Sequence, residues 1–161
     1  MSQTLRVLRD LEPTTTNPEE FRPTGANPAF AVEFPASDPR PGWALVTVDV
    51  EVDDEFAEER GIASPITLRF LPAGEHVPLA RRPVPEIRGK RIRVTHIPEG
   101  TASIEVEVSP WVRAVRPRTV TFRSINPATA ASIMSSDLAM STARGSTDPV
   151  SYTHLTLPTI A

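Results

Sequence analysis

The sequence predicts an all-β fold, an antiparallel, jelly-roll-like β-sandwich of about eight strands with a short helix or unstructured tail behind it. Three observations carry the prediction. Apolar and polar residues alternate in short runs, as in strands with one face buried. Turn-forming Pro and Gly clusters separate those runs. The 161 residues include 18 Pro, about twice the usual share of roughly 5%. Proline removes a helix hydrogen bond and clashes with the preceding turn, so such a chain is poorly suited to a helical fold.

The clearest strand runs from Trp43 to Val52. Ala44, Val46, Val48, Val50 and Val52 share one face, and Leu45, Thr47, Asp49 and Glu51 share the other. β-Branched residues favour the pleated backbone. Ile66 to Phe70 repeats the pattern, with Ile66, Leu68 and Phe70 inward. In Arg91 to Ile97 the alternation predicts Ile92 and Val94 inward, with Arg91, Arg93 and Thr95 outward. Ala102 to Val108 turns Ile104, Val106 and Val108 to the core, and Thr119 to Ser124 turns Val120 and Phe122. Leu5 to Leu8, Ala29 to Phe34 and His76 to Ala80 are weaker candidates. Turns are expected at Pro39-Arg40-Pro41-Gly42, Leu71-Pro72-Ala73-Gly74, Arg88-Gly89-Lys90 and Ile97-Pro98-Glu99-Gly100. Asp53 to Glu59 suits one helical turn or an acidic loop.

The character changes after Asn126. Residues 1–126 read as the sandwich module, and 127–148 as a linker or short helix. Asn126 has the side chain of an N-cap, and Pro127 suits the first helical position. Pro127 to Met140 would then be the helix, and Ser141 to Asp148 a polar linker.

Composition excludes several chemistries. The chain has no Cys, which rules out disulfides, zinc–thiolate sites and thiol nucleophiles. Its net charge of -3 argues against a nucleic-acid partner. No run of about 20 apolar residues is present, so no membrane-spanning helix is expected. Met1 to Asp10 lacks the apolar core of a signal peptide, and a cytoplasmic location is expected. Lys90 is the one lysine among 17 basic residues, a bias that suggests a GC-rich bacterial genome.

No phosphate-binding glycine loop, nucleophile elbow or helical His pair occurs, so the chain is not expected to be an enzyme or to hold a cofactor or metal. His76 and His96 read as surface histidines. The acidic residues Asp49, Glu51, Asp53, Asp54, Glu55, Glu58 and Glu59 supply oxygen donors, but without the spacing of a calcium loop; a solvated face is preferred. Arg81, Arg82, Arg88, Lys90, Arg91 and Arg93 form a basic stretch able to meet an anion, although a solvated face balanced by the acidic segment is again the plainer reading. If a ligand is bound, Trp43, Trp111, Arg91 and Arg93 are the candidates to face it. An indole can stack on the apolar face of a sugar ring, while either Trp could equally plug an end of the core.

Gly42-Trp43 opens the best strand. After it come Pro65-Ile66-Thr67-Leu68-Arg69-Phe70, His96-Ile97-Pro98-Glu99-Gly100 and Ile104-Glu105-Val106-Glu107-Val108-Ser109-Pro110. Across about Pro28 to Ile125, this succession resembles the β-sandwich modules N-terminal to the catalytic domain of some bacterial polysaccharide glycosyltransferases. The resemblance implies an accessory module, and its partners would be a glycan or a downstream catalytic domain. The alternative is a structural or interaction module of an unrelated bacterial surface protein.

The last stretch, 149–161, has a different origin in this reading. Val150-Ser151-Tyr152-Thr153-His154-Leu155-Thr156-Leu157-Pro158-Thr159 resembles a translated transposase-type sequencing adapter. Written as codons, GTC TCT TAT ACA CAT CTG ACG CTG CCG ACG encodes these residues in order. Tyr152 and His154 would then carry no function, and the natural protein would continue past about Asp148.

Overall fold

Among the described residues, eleven strands and one helix form where alternation and turn chemistry allow them. The computed structural model describes residues 2–15, 17–34, 39–53 and 64–143. The strands are β1 (Ser2–Arg9), β2 (Leu11–Pro13), β3 (Phe21–Pro23), β4 (Ala29–Glu33), β5 (Gly42–Asp53) and β6 (Ile66–Pro72). They continue with β7 (Ala80–Pro83), β8 (Glu86–Ile87), β9 (Lys90–Ile97), β10 (Thr101–Val108) and β11 (Ala114–Ser124), and α1 (Pro127–Ala143) follows. The fold is all-β and sandwich-like: every strand pair is antiparallel, and one curled sheet follows the order β7-β6-β10-β4-β1-β11-β5-β9-β8.

Strand β1 forms the corner of that sheet. Its first residues pair with β11 (Ser2 opposite Thr121), and the remainder pairs with β4 (Leu5 opposite Val32). A strand shared in this way lets a sheet fold over on itself. The two ends of the path, β7 and β8, are separated in sequence only by Val84 and Pro85. Here the Val84 N–H donates to the Ile66 carbonyl at 2.9 Å, and the Ile92 N–H donates to the Pro85 carbonyl at 3.3 Å. The crossover therefore ties one edge region to the other, and its Val84 side chain is fully buried.

The inner face collects Phe30, Val46, Ile66, Leu68, Phe70, Ile104, Val106 and Val120 in one core cluster. Phe21 packs edge-on against Phe30, with ring centroids 5.8 Å apart. Gly100 takes a φ of 88° at the β9–β10 turn, a left-handed conformation in which a side chain would be strained. Helix α1 lies on the opposite face, in contact with β5 and β9. Asn126 caps it: the Asn126 Oδ1 accepts the Thr129 N–H at 2.7 Å. Val94 and Ala130 are buried but stand outside the main cluster, which is consistent with a small second core beneath the helix.

Several sequence expectations change. The weak candidate His76 to Ala80 is a loop, and the strand is Ala80–Pro83 instead. That edge strand is held by pairing with β6 and buries little of its own surface, so it has no alternation to read. The strands β2, β3 and β8 are too short to show a period. β11 begins at Ala114, earlier than Thr119, because Pro117 sits beside an irregularity in the pairing with β5, where a missing N–H is tolerated. The acidic turn expected over Asp53 to Glu59 lies outside the described residues after Asp53, as does the adapter-like tail.

Candidate functional site: a hydroxyl-lined groove along β5

The register of β9 reverses the expected orientation of its arginines. Arg91 stands opposite Val48, and Arg93 opposite Val46. Directly opposed residues share a face, so both arginines are on the inner side and Ile92 and Val94 on the outer. Alternation alone misplaced them because Val94 is also apolar and buried, covered on the helix side. Arg91 is only 8% exposed and meets Glu86 at 3.5 Å. Arg93 donates through Nη1 to the Pro83 carbonyl at 2.7 Å.

The two tryptophans do not form one site. Trp43 is half-buried at the start of β5 and meets His96 edge-on, with ring centroids 5.3 Å apart. Trp111 is 56% exposed and lies two residues before Arg113, whose N–H donates to the Asp53 carbonyl at the other end of β5. Ten residues of strand separate Trp43 from Asp53, about 33 Å at the usual rise. Both His76 and His96 are exposed. Among the described residues, no group of three His, Asp or Glu side chains is placed to hold a metal ion.

The sequence did not single out a polar surface on the outer face of the sheet. On the outer face, Ser2 is opposite Thr121, and Thr121 is opposite Thr47. In the next row, Thr4 is opposite Thr119, and Thr119 opposite Asp49. Two polar rows thus cross β1, β11 and β5, five hydroxyls and the Asp49 carboxylate, linked at one point by a 3.2 Å contact between the Ser2 and Thr121 hydroxyls. The pairing of β5 with β9 ends at Val48. Beyond it, a groove of about 620 Å³ opens along β5, lined by Thr47, Asp49, Glu51, Lys90, Thr119 and Thr121 among others, with Arg91 and Glu86 at its side.

The charges of this groove differ in their availability. Glu51 accepts from Arg118 at 2.6 Å and lies 4.0 Å from Arg116, so it is already neutralised. The Asp49 carboxylate and the Lys90 ammonium have no ion-pair partner among the described residues. Asp49 and Lys90 are the residues just beyond Val48 and Arg91, the last pair of the β5–β9 register. Such a surface offers a carboxylate acceptor, an ammonium donor and hydroxyls that do both. The signal for it in the sequence was the polar half of the alternation, Thr47-x-Asp49 and Thr119-x-Thr121. Strand pairing was needed to bring the halves together.

No family model, curated protein or solved structure matches this chain. Among the described residues, no helix is long and apolar enough to cross a membrane.

Proposed function

We propose that this chain is an accessory β-sandwich module that binds a glycan along the β5 groove. The observation that carries the reading is the set of unengaged polar groups at Asp49, Lys90, Thr47 and Thr119 in one groove. Its volume lies within the range of about 300–1,000 Å³ typical of small-ligand sites. Sugar hydroxyls both donate and accept, so they match a surface of threonines with one carboxylate and one ammonium. Of the sequence candidates, Arg91 borders the groove. Trp43 is on the same outer face, four residues up the strand from Thr47, about 13 Å away. A short oligosaccharide could span that distance.

The parent in this reading is a glycosyltransferase-like bacterial protein working in the cytoplasm. The turn-and-strand succession from Gly42-Trp43 to Ser109-Pro110 supports it. Resequencing the locus across Ser146 to Ala161 tests this part. A reading frame continuing into a nucleotide-sugar transferase upholds it, and a genomic stop after Ala161 removes it.

The groove is tested by calorimetric titration with neutral and uronic oligosaccharides. Binding is expected, with Asp49→Ala weakening it at least about tenfold, the loss of one charge-assisted hydrogen-bonding group. No heat with any sugar would sink the glycan reading. The alternative, an interaction module, is favoured by the exposed Val77 and Leu79 beside edge strand β7; it predicts protein capture through that loop and indifference to Asp49→Ala.

A further inference from the structure

The inward arginines of β9 belong to a second arrangement, apart from the groove's hydroxyl face. Arg82 stands opposite Leu68 in the β6–β7 pair, so it shares the inner side of its strand just as Arg93 does on β9. The crossover at Val84–Pro85 brings these two strand ends together, and the 2.7 Å bond from Arg93 Nη1 to the Pro83 carbonyl closes the seam. Arg82 spends its Nη1 on the Arg81 carbonyl at 2.9 Å. Neither guanidinium has a carboxylate within ion-pair distance among the described residues.

This is costly for a folded protein. The Nε of Arg93 is buried and lacks a hydrogen-bond acceptor among the described residues. An unmet donor of that kind destabilises the fold, and more so when it is charged. Burial first, and the Arg82 guanidinium second, hold Arg93 below the ordinary arginine value. The outer-face arginines differ in having carboxylates: Arg69, whose buried Nε also lacks a hydrogen bond among the described residues, is matched to Glu105 at 3.0 Å, and Arg81 to Glu107 at 2.8 Å. Among the described residues, glutamates thus neutralise arginines elsewhere on this sheet, and none is within ion-pair distance of Arg82 or Arg93.

We infer that the seam between Arg82 and Arg93 is a binding site for a tetrahedral oxyanion of the phosphate class. Such an anion relieves the repulsion between the two guanidiniums, through the N–H groups that the Arg81 and Pro83 carbonyls leave unused. Arg91 is already engaged by Glu86 and contributes field rather than a ligand bond. The site is independent of the glycan reading, since it uses neither Asp49 nor the threonine rows.

The test compares thermal unfolding of the full chain in inorganic phosphate and in sodium chloride of equal ionic strength, for the wild type and for Arg82→Gln. Arg82 is exposed, so the variant should fold. Phosphate at ten times its dissociation constant should raise the wild-type midpoint by about 4 °C beyond chloride. Phosphate also stabilises proteins by exclusion from their surface, but Arg82→Gln retains that general effect and should lose the specific part. Without phosphate, the variant should melt at or above the wild type, because a repulsion has been removed. The Arg93 Nε–H resonance should shift on phosphate addition in the wild type alone. Equal midpoints in phosphate and chloride, or an undiminished phosphate effect in Arg82→Gln, would overturn the site.

Discussion

The crossover that closes the sheet rests on Val84, and Val84→Ala measures how much. Val84 has no exposed surface, and its backbone is held on both sides. Its N–H donates to the Ile66 carbonyl, and its carbonyl accepts the Ser64 hydroxyl at 2.6 Å. The surroundings therefore have little freedom to collapse into the space left behind. Truncation removes the equivalent of two methylenes, about 1.6 kcal/mol of transfer free energy. The unrelaxed cavity brings the total to about 2–3 kcal/mol. Unfolding in urea, followed by Trp fluorescence, reads the loss directly. At a slope of about 1.5–2 kcal/mol per M, the midpoint should fall by about 1–2 M. Val77→Ala is the matched control: Val77 is 73% exposed, and its truncation should cost less than about 0.5 kcal/mol. A Val84→Ala midpoint no lower than that of Val77→Ala would refute the placement of this segment across the core.

Two other substitutions probe local features. Gln3 is on the inner face opposite Val120, and its Oε1 is buried without a partner among the described residues; Gln3→Leu should stabilise the fold by about 1 kcal/mol, seen as a higher thermal midpoint, and a lower one would mean that the amide is satisfied. Asn126→Ala removes the cap on the Thr129 N–H and should cost about 1 kcal/mol; amide exchange at Thr129 should speed up, and unchanged exchange would show that the Asn126 side chain does not hold the helix start.

The strand pattern was largely legible in the sequence. β5, β6, β9 and β10 were readable because each is long enough for a period of two to stand out. The cap and first turn of α1 were readable because Asn-Pro has a specific local chemistry. The short strands and the edge strand β7 were not, since pairing to a neighbour leaves no mark on two to four residues. The candidate site was legible only in pieces. Trp43, Trp111, Arg91 and Arg93 were chosen by residue type, and the structure sets them in three separate places.

Local residue chemistry by itself determined that this chain is all-β, where most of its turns fall and most of the residues that fill the core, those of β9 excepted. Those properties depend on a residue and its near neighbours, through the two-residue pleat and the backbone limits of Pro and Gly. Only the tertiary structure decided the order of the strands, the inward turn of Arg91 and Arg93, the threonine rows and the arginine seam. Each depends on register between strands up to 119 positions apart, as for Ser2 and Thr121. A shift of one residue in that register would move every side chain to the other face.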